Sequence, residues 1–278
     1  MPHPGDMLIC FFFMLFSEAP TAVIADPQIR AATELDQKGA ELFSLGRYEE
    51  AASYQKRALT IWDKVSTTRP VALAAPHFNL AQIYLALGKV SAAEMEAGLA
   101  RQFATPTDRA RISALFAQIN FLTRNYAEAE REVRAILPDL TGVVKATALN
   151  DLGMIRAARG DLGAGRGLIE SALAMRERAG AASTPDHGRM LASLALICFL
   201  QGDRPAAISF YSQSIPILEA TLGVDHPHVG VVLAEYSQAL KKAGQKSEAK
   251  AAERRAKTIL AASAHLPGVQ TVDIRSLR

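Results

Sequence analysis

Three groups of residues in this 278-residue chain are of types that do chemistry. Asp225, His226 and His228 crowd into one Asp-His-Pro-His segment, Cys198 offers a thiol, and serines, histidines and aspartates are scattered elsewhere. Two imidazoles and a carboxylate are metal-ligand types, but no fourth ligand accompanies them, which falls short of the tetrahedral set that zinc takes. The segment reads as a helix start without a metal: Asp225 caps the next helix and Pro227 sits in its first turn, where a missing N–H costs nothing. Cys10 lies in an apolar run near the N-terminus, which leaves Cys198 alone in the rest of the chain, unable to form an internal disulfide. Cys198 stands among apolar residues at an inward helix position, so a buried structural thiol is expected. No nucleophile elbow, glycine-rich phosphate loop or His-Glu-x-x-His helix occurs. The expectation is a chain with no catalytic residue, no metal and no cofactor.

Charge excludes further classes. The formal net charge is +3, and neither sign forms a long block, so nothing points to nucleic acid or an acidic lipid surface. Hydrophobic residues make up 49% and charged residues 21%, as in a folded soluble chain, while aromatics are only 6% and alanine is abundant. That balance favours closely packed helices over a β-sandwich.

The elements that position these residues repeat. Leu45-Gly46-Arg47-Tyr48, Leu87-Gly88-Lys89-Val90, Arg159-Gly160-Asp161-Leu162, Gln201-Gly202-Asp203-Arg204 and Ala243-Gly244-Gln245-Lys246 align, with Arg124-Asn125-Tyr126 as a sixth copy that has Arg in place of Gly. The marker positions 46, 88, 124, 160, 202 and 244 are therefore 42, 36, 36, 42 and 42 residues apart. Before each marker, apolar residues recur at helical spacing, as in Leu80, Ala81, Tyr84 and Leu87. The marker permits a left-handed turn that ends one helix. A second helix follows, with a small residue early (Ala51, Ala93, Ala129, Ala207, Ala249) and another seven later in most copies (Ala58, Ala100, Ala172, Ala256). Small residues there let antiparallel helices approach closely. Repeat four carries Gly165 instead of the first alanine, and repeat three reads as slipped by one, with Ala135 a residue early.

This register resembles the tetratricopeptide repeat family over roughly residues 32–260. The family's small residue at position 8 corresponds to Gly39, Ala81, Ala117, Gly153, Ala195 and Ser237, and its tyrosine at position 17 to Tyr48 and Tyr126. Leu222-Gly223-Val224-Asp225-His226-Pro227-His228-Val229 resembles the inter-repeat loop of the kinesin-light-chain subtype, which is also widespread in bacteria. Thr184-Pro185-Asp186-His187 is a fainter echo of it, and Asn79, Asn150 and Asp151 resemble that subtype's groove positions. The resemblance implies an all-α fold: an α-solenoid of about six antiparallel helix pairs, wound as a right-handed superhelix over residues 32–261.

It also implies a function. In the family the first helix of each pair lines a concave face that binds an extended peptide or a partner helix. Carried over, the groove positions are Phe43, Phe78, Gln82, Leu85, Gln118, Phe121, Asn150, Met154, Leu196, Phe199, Gln238, Lys241 and Lys242. The aromatic ones stand open between groove and inter-repeat core. A charged peptide clamp needs Lys at position 5, where this chain has Asp36, Phe78, Ala114, Asn150, Ala192 and Ala234, so that ligand class is not expected. The partner expected is a protein or peptide held by a non-catalytic scaffold. The rival is a cytoplasmic regulatory or sensor protein that binds a signalling peptide or small ligand; such proteins usually carry an output domain, for which residues 262–278 leave no room.

Met7–Phe16 is a ten-residue apolar run, too short to span a bilayer, and Ala22-Val23-Ile24-Ala25 follows with small residues or Val at the cleavage positions. Residues 1–25 therefore read as a signal peptide, although residues 1–6 contain no Lys or Arg. Met7 as the true start, an uncleaved N-terminal anchor, or a cytoplasmic chain with a misassigned start remain open. No small residue precedes Cys10, which argues against a lipoprotein. Residues 262–278 fall outside the repeats, with strand-like alternation at Thr271–Ile274, and read as a tail. Export predicts a mature protein, exported to the periplasm or secreted, that begins at Asp26. Mass spectrometry of protein from its native host should find that terminus, and an intact cytoplasmic chain would refute it.

Overall fold

The computed structural model of the chain describes residues 26–65 and 70–264. The expected targeting segment and the tail beyond Ala264 lie outside the described residues. Those described form twelve α-helices and no strand. The helices are α1 (Pro27–Ser44), α2 (Tyr48–Val65), α3 (Ala74–Ala86), α4 (Val90–Phe103), α5 (Arg109–Leu122), α6 (Tyr126–Ile136), α7 (Gly142–Ala158), α8 (Leu162–Arg178), α9 (Pro185–Leu200), α10 (Arg204–Leu222), α11 (Pro227–Lys242) and α12 (Lys246–Ala264). No helix among them is long and apolar enough to cross a membrane.

The markers act as the repeat requires. All six have positive φ, from 62° at Arg124 to 93° at Gly160. At Gly88 the N–H donates to the Leu85 carbonyl (2.9 Å) and the next N–H, of Lys89, to Tyr84 (2.8 Å), which closes α3 and redirects the chain into α4. Arg124 is the one non-glycine with positive φ among the described residues, so repeat three adopts the turn despite its Cβ. The shorter 36-residue spacings coincide with short helices: α4 and α5 have 14 residues each and α6 has 11, against 19 in α10.

Caps fix most of the starts. Asp26 accepts from Gln28 N–H at 2.8 Å with Pro27 in the first turn, so α1 begins five residues before the expected 32. Asp161 and Asp203 cap α8 and α10 in the same way, and Thr184 caps α9. One assignment is corrected. Asp225 is not the cap of α11; His226 is, its Nδ1 accepting from the His228 N–H at 3.1 Å, while Pro227 does occupy the first turn.

The described residues divide into two compact units, 26–123 and 124–264, with the break inside the third repeat. In the first unit α1 pairs with α2 and α3 with α4, with α2 on α3 and α4 on α5. Phe78, Leu85, Ala93, Ala97, Ile112 and Leu115 belong to one of its cores. A buried His77–Glu96 contact of 2.7 Å ties α3 to α4. In the second unit α7 pairs with α8, α9 with α10 and α11 with α12, and α6 packs on α7.

Ala51, Ala93 and Ala207 are fully buried at the pair crossings, as the register required, and Ala129 is fully buried on α6. Two readings of the pattern change. Repeat three does not slip: Ala135 is exposed and Ile136, 5% exposed, fills the inward position. Nor is Gly165 a neutral variation. A Cβ there would lie 2.6 Å from the carbonyl oxygen of Gly153 and 3.2 Å from the Ala157 side chain, and a Cβ on Gly153 would lie 2.8 Å from the Gly165 oxygen. These two backbones touch, so even a methyl group overpacks. Gly165→Ala should therefore lower stability by at least about 1–3 kcal/mol, although alanine is the residue used at that position in five other repeats. Thermal denaturation measures this; an unchanged melting temperature would mean a wider crossing of α7 and α8.

Candidate partner-binding surface

Each expected groove residue lies on the first helix of its pair. In the first unit α1 touches α3 and α3 touches α5; in the second α7 touches α9 and α9 touches α11. The second helices α8 and α10 make no comparably close approach, nor do α10 and α12. Within each unit the first helices therefore share the tighter face, the side toward which a helix array curves.

Exposure sorts the candidates. Phe43, Phe78, Gln82, Leu85, Gln118, Phe121, Asn150, Met154 and Leu196 are buried. Phe78 and Leu85 belong to the core of the first unit, and Phe43 packs in a neighbouring cluster with its ring 5.2 Å from that of Tyr48. Phe121 is only 4% exposed. Phe43 and Phe78 are thus packing residues, because a ring at those register positions is enclosed by the next helix. Phe199 and Gln238 are half-buried, and Lys241 and Lys242 are exposed. The accessible part of the expected groove is therefore confined to α9 and α11. Phe199 and Lys241 stand one repeat apart at equivalent positions on these adjoining helices.

The second unit also encloses a polar cluster that spacing alone did not reveal. Arg176 on α8 donates to Thr184 Oγ1 (2.7 Å) and Asp186 Oδ2 (3.3 Å), and Arg189 donates to Asp186 Oδ1 (2.9 Å). Burial raises the Asp186 carboxyl, and Arg189 and Arg176 pull it back. His226 and His228 face the same group: burial lowers the His226 imidazole to about 4 and His228 well below its ordinary value, and Arg189 adds to both. Both rings are held neutral, which agrees with His226 Nδ1 accepting the cap hydrogen bond. Burial raises Asp151 to about 7, against a donor from Asn150 and with the Asp186 charge adding to the rise. On α11, burial raises Glu235 to about 8 while the Tyr211 hydroxyl donates to its Oε2 at 3.3 Å. The sequence signal was the Asn150-Asp151 pair and the two loops, yet what joins them is the stacking of α7, α8, α9 and α11. Cys198 is fully buried, and burial raises its thiol, so it is an inert packing residue in this fold.

A tetratricopeptide-repeat profile matches residues 144–220 and 189–262, and a second tetratricopeptide-repeat profile matches residues 35–66. Together they span more than half of the chain and coincide with the helix pairs. The chain belongs to the tetratricopeptide-repeat family. No curated protein matches it. Among solved structures, a Rap protein complexed with competence and sporulation factor is 15% identical, with 85% of this chain and 76% of that one covered at a TM-score of 0.62. Aspartyl phosphate phosphatase F from Bacillus subtilis is 10% identical over 84% of this chain and 70% of that one, at 0.59. BtubC (BKLC) from P. vanneervenii is 18% identical over 78% and 92%, at 0.56. At these identities the likeness is one of fold: tetratricopeptide-type helical arrays.

The buried Asp151 carboxyl makes a pH dependence. Its folded value, about 7, lies above the ordinary 3.8, so between these values the folded repeats hold a proton that the unfolded chain has released. Stability should fall as pH rises through that window and level off above it. Asp151→Asn removes this residue's share of the slope, leaving that of Glu235, and keeps an acceptor for Asn150, so it should melt above the wild type near pH 8 and match it near pH 4. Parallel melting curves of the two proteins across that range would refute the assignment.

Proposed function

We propose that this chain is a non-catalytic scaffold or adaptor that holds a peptide or protein segment against the first-helix face of its second unit. The observation that carries this is the accessible strip on α9 and α11, where Phe199, Gln238, Lys241 and Lys242 offer a ring edge, an amide and two cations on adjoining helices. The tight packing of the other first-helix positions makes that strip rigid, and a preformed face binds without the cost of ordering it. Amides bond a partner's backbone, a half-buried ring accepts an apolar side chain, and the lysines favour acidic residues at one end of the ligand. The Rap protein, solved in complex with competence and sporulation factor, supports the reading that such an array holds a ligand. The phosphatase likeness, at 10% identity, gives no reason to assign that activity here. Export belongs to the same reading: the apolar run and the Ala25–Asp26 junction support a mature chain that acts outside the cytoplasm. The kinesin-light-chain-like loop at Leu222–Val229 supports the corresponding repeat subtype.

Photo-crosslinking inside the native host tests the surface directly. A photoreactive amino acid at Gln238 should capture a discrete protein or peptide that the same group at exposed Lys250 on α12 does not. Identical captures from both positions, or none from Gln238, would reject the proposed face. Replacing Lys241 and Lys242 with Gln should weaken the captured complex and flatten its dependence on salt.

A further inference from the structure

A second charged surface lies away from that strip, in the same unit. Ala127, Glu130, Arg131, Arg134 and Ala135 of α6, with Arg156 of α7, line an open depression of about 650 Å³. At its floor Glu130 is 7% exposed. Arg134 Nε (2.7 Å) and Arg156 Nη2 (2.7 Å) both reach Glu130 Oε1, and Arg159 Nη1 reaches Oε2. Burial would raise the Glu130 carboxyl, but the three guanidinium groups outweigh it and hold the acid below its ordinary value. One carboxylate thus faces three permanent cations. Arg131 stands on the rim with its side chain 75% exposed, tied only to Glu128 one turn away.

Joining α6 to α7 through Glu130 needs one bridging arginine, and Arg156 of α7 and Arg159, which caps its C-terminus, both serve. Arg134 adds a positive charge on the same carboxylate, and Arg131 another beside it. Each guanidinium has five N–H donors in a planar fork, and the contacts to Glu128 and Glu130 use one from each of these four side chains. Arg131, Arg134 and Arg156 line the depression, and their forks match planar carboxylates.

We infer that the Arg131–Arg134–Arg156 depression is a second docking surface, which takes one or two carboxylate side chains of an acidic protein segment. The choice of a peptide follows from the pattern around it. Glu128, Glu130 and Glu132 alternate with the arginines along α6, so a continuous polyanion such as a nucleic-acid backbone meets repulsion as well as attraction. A single acidic side chain at the rim meets Arg131, Arg134 and Arg156 against one carboxylate, Glu130, that those neighbours already engage, so the local balance stays positive. The depression is lined mainly by a second helix, so it does not coincide with the first-helix strip, and either surface can fail its test without the other.

The test uses the full chain and a fluorescently labelled decamer of glutamate as probe, read by anisotropy at low ionic strength and at about 0.15 M salt. Binding should be detectable at low salt and weaken with added salt. Arg131→Gln alone, a rim change with no folding role, should weaken it several-fold, and Arg131→Gln with Arg134→Gln by roughly tenfold or more. Lys250→Gln on α12 should leave the affinity unchanged. Arg134→Lys keeps the charge but not the fork and should fall between wild type and Arg134→Gln. Equal binding by wild type and Arg131→Gln, with both melting alike, would overturn the inference. Tighter binding of single-stranded DNA or phosphatidylserine vesicles than of the peptide, with the same dependence on Arg131, would overturn the choice of partner.

Discussion

Everything in this protein hangs on how closely two antiparallel helices approach at one point in each repeat. That point is a small residue on the first helix facing a small residue on the second: Ala81 and Ala93 in the first unit, Ala195 and Ala207 in the second, each without accessible surface. At α7 and α8 the requirement is strictest, because the carbonyls of Gly153 and Gly165 occupy the space a methyl group would need. Close approach buries the larger side chains on either side of the crossing and leaves no room for alternatives. The left-handed turn after each first helix sets the two helices antiparallel so that this contact forms.

The same packing governs what the surface offers. A first helix of a tetratricopeptide array touches its own partner and the helices before and after it, so most of its circumference is enclosed. Phe78 lies on an enclosed side and packs against the neighbouring repeat, and Phe121 is buried. Of the thirteen candidate groove residues, those on α9 and α11 alone keep a ring edge, an amide and cations exposed or half-exposed.

Electrostatics follows from burial in two opposite ways. Around Asp151 and Glu235, helices remove water from carboxyls that have a single weak donor each, and the carboxyls keep their protons to unusually high pH. Around Glu130, a carboxyl with little exposed surface is surrounded by guanidinium groups and stays charged. The difference lies in the side chains beside each carboxyl: Asn150 and Tyr211 are neutral donors, whereas Arg134, Arg156 and Arg159 are cations. Glu130 therefore leaves a local excess of positive charge at the surface, in a chain whose net charge is only +3.

Much was legible from residue order alone. Six turns, the twelve helices they separate, the buried alanines of the second helices, the proline in the first turn of α11 and the burial of Cys198 follow from periodicity and local chain chemistry, which act over a few residues and leave a repeated trace. Their limits were local too: Asp225 looked the better cap than His226, and Ala135 looked the inward residue in place of Ile136, because one-residue choices depend on how a helix is rotated in its groove. The repeat register placed the thirteen candidate groove residues on the correct helices but gave no means to tell enclosed from open. That was decided by the neighbouring helix, which covers Phe78 and leaves Lys241 bare. The gathering of Arg176, Asp186, Arg189, His226 and His228 likewise arises only when α8, α9 and α11 stack. Side chains from separate repeats, tens of residues apart, meet through packing geometry, and a linear register carries no record of that distance.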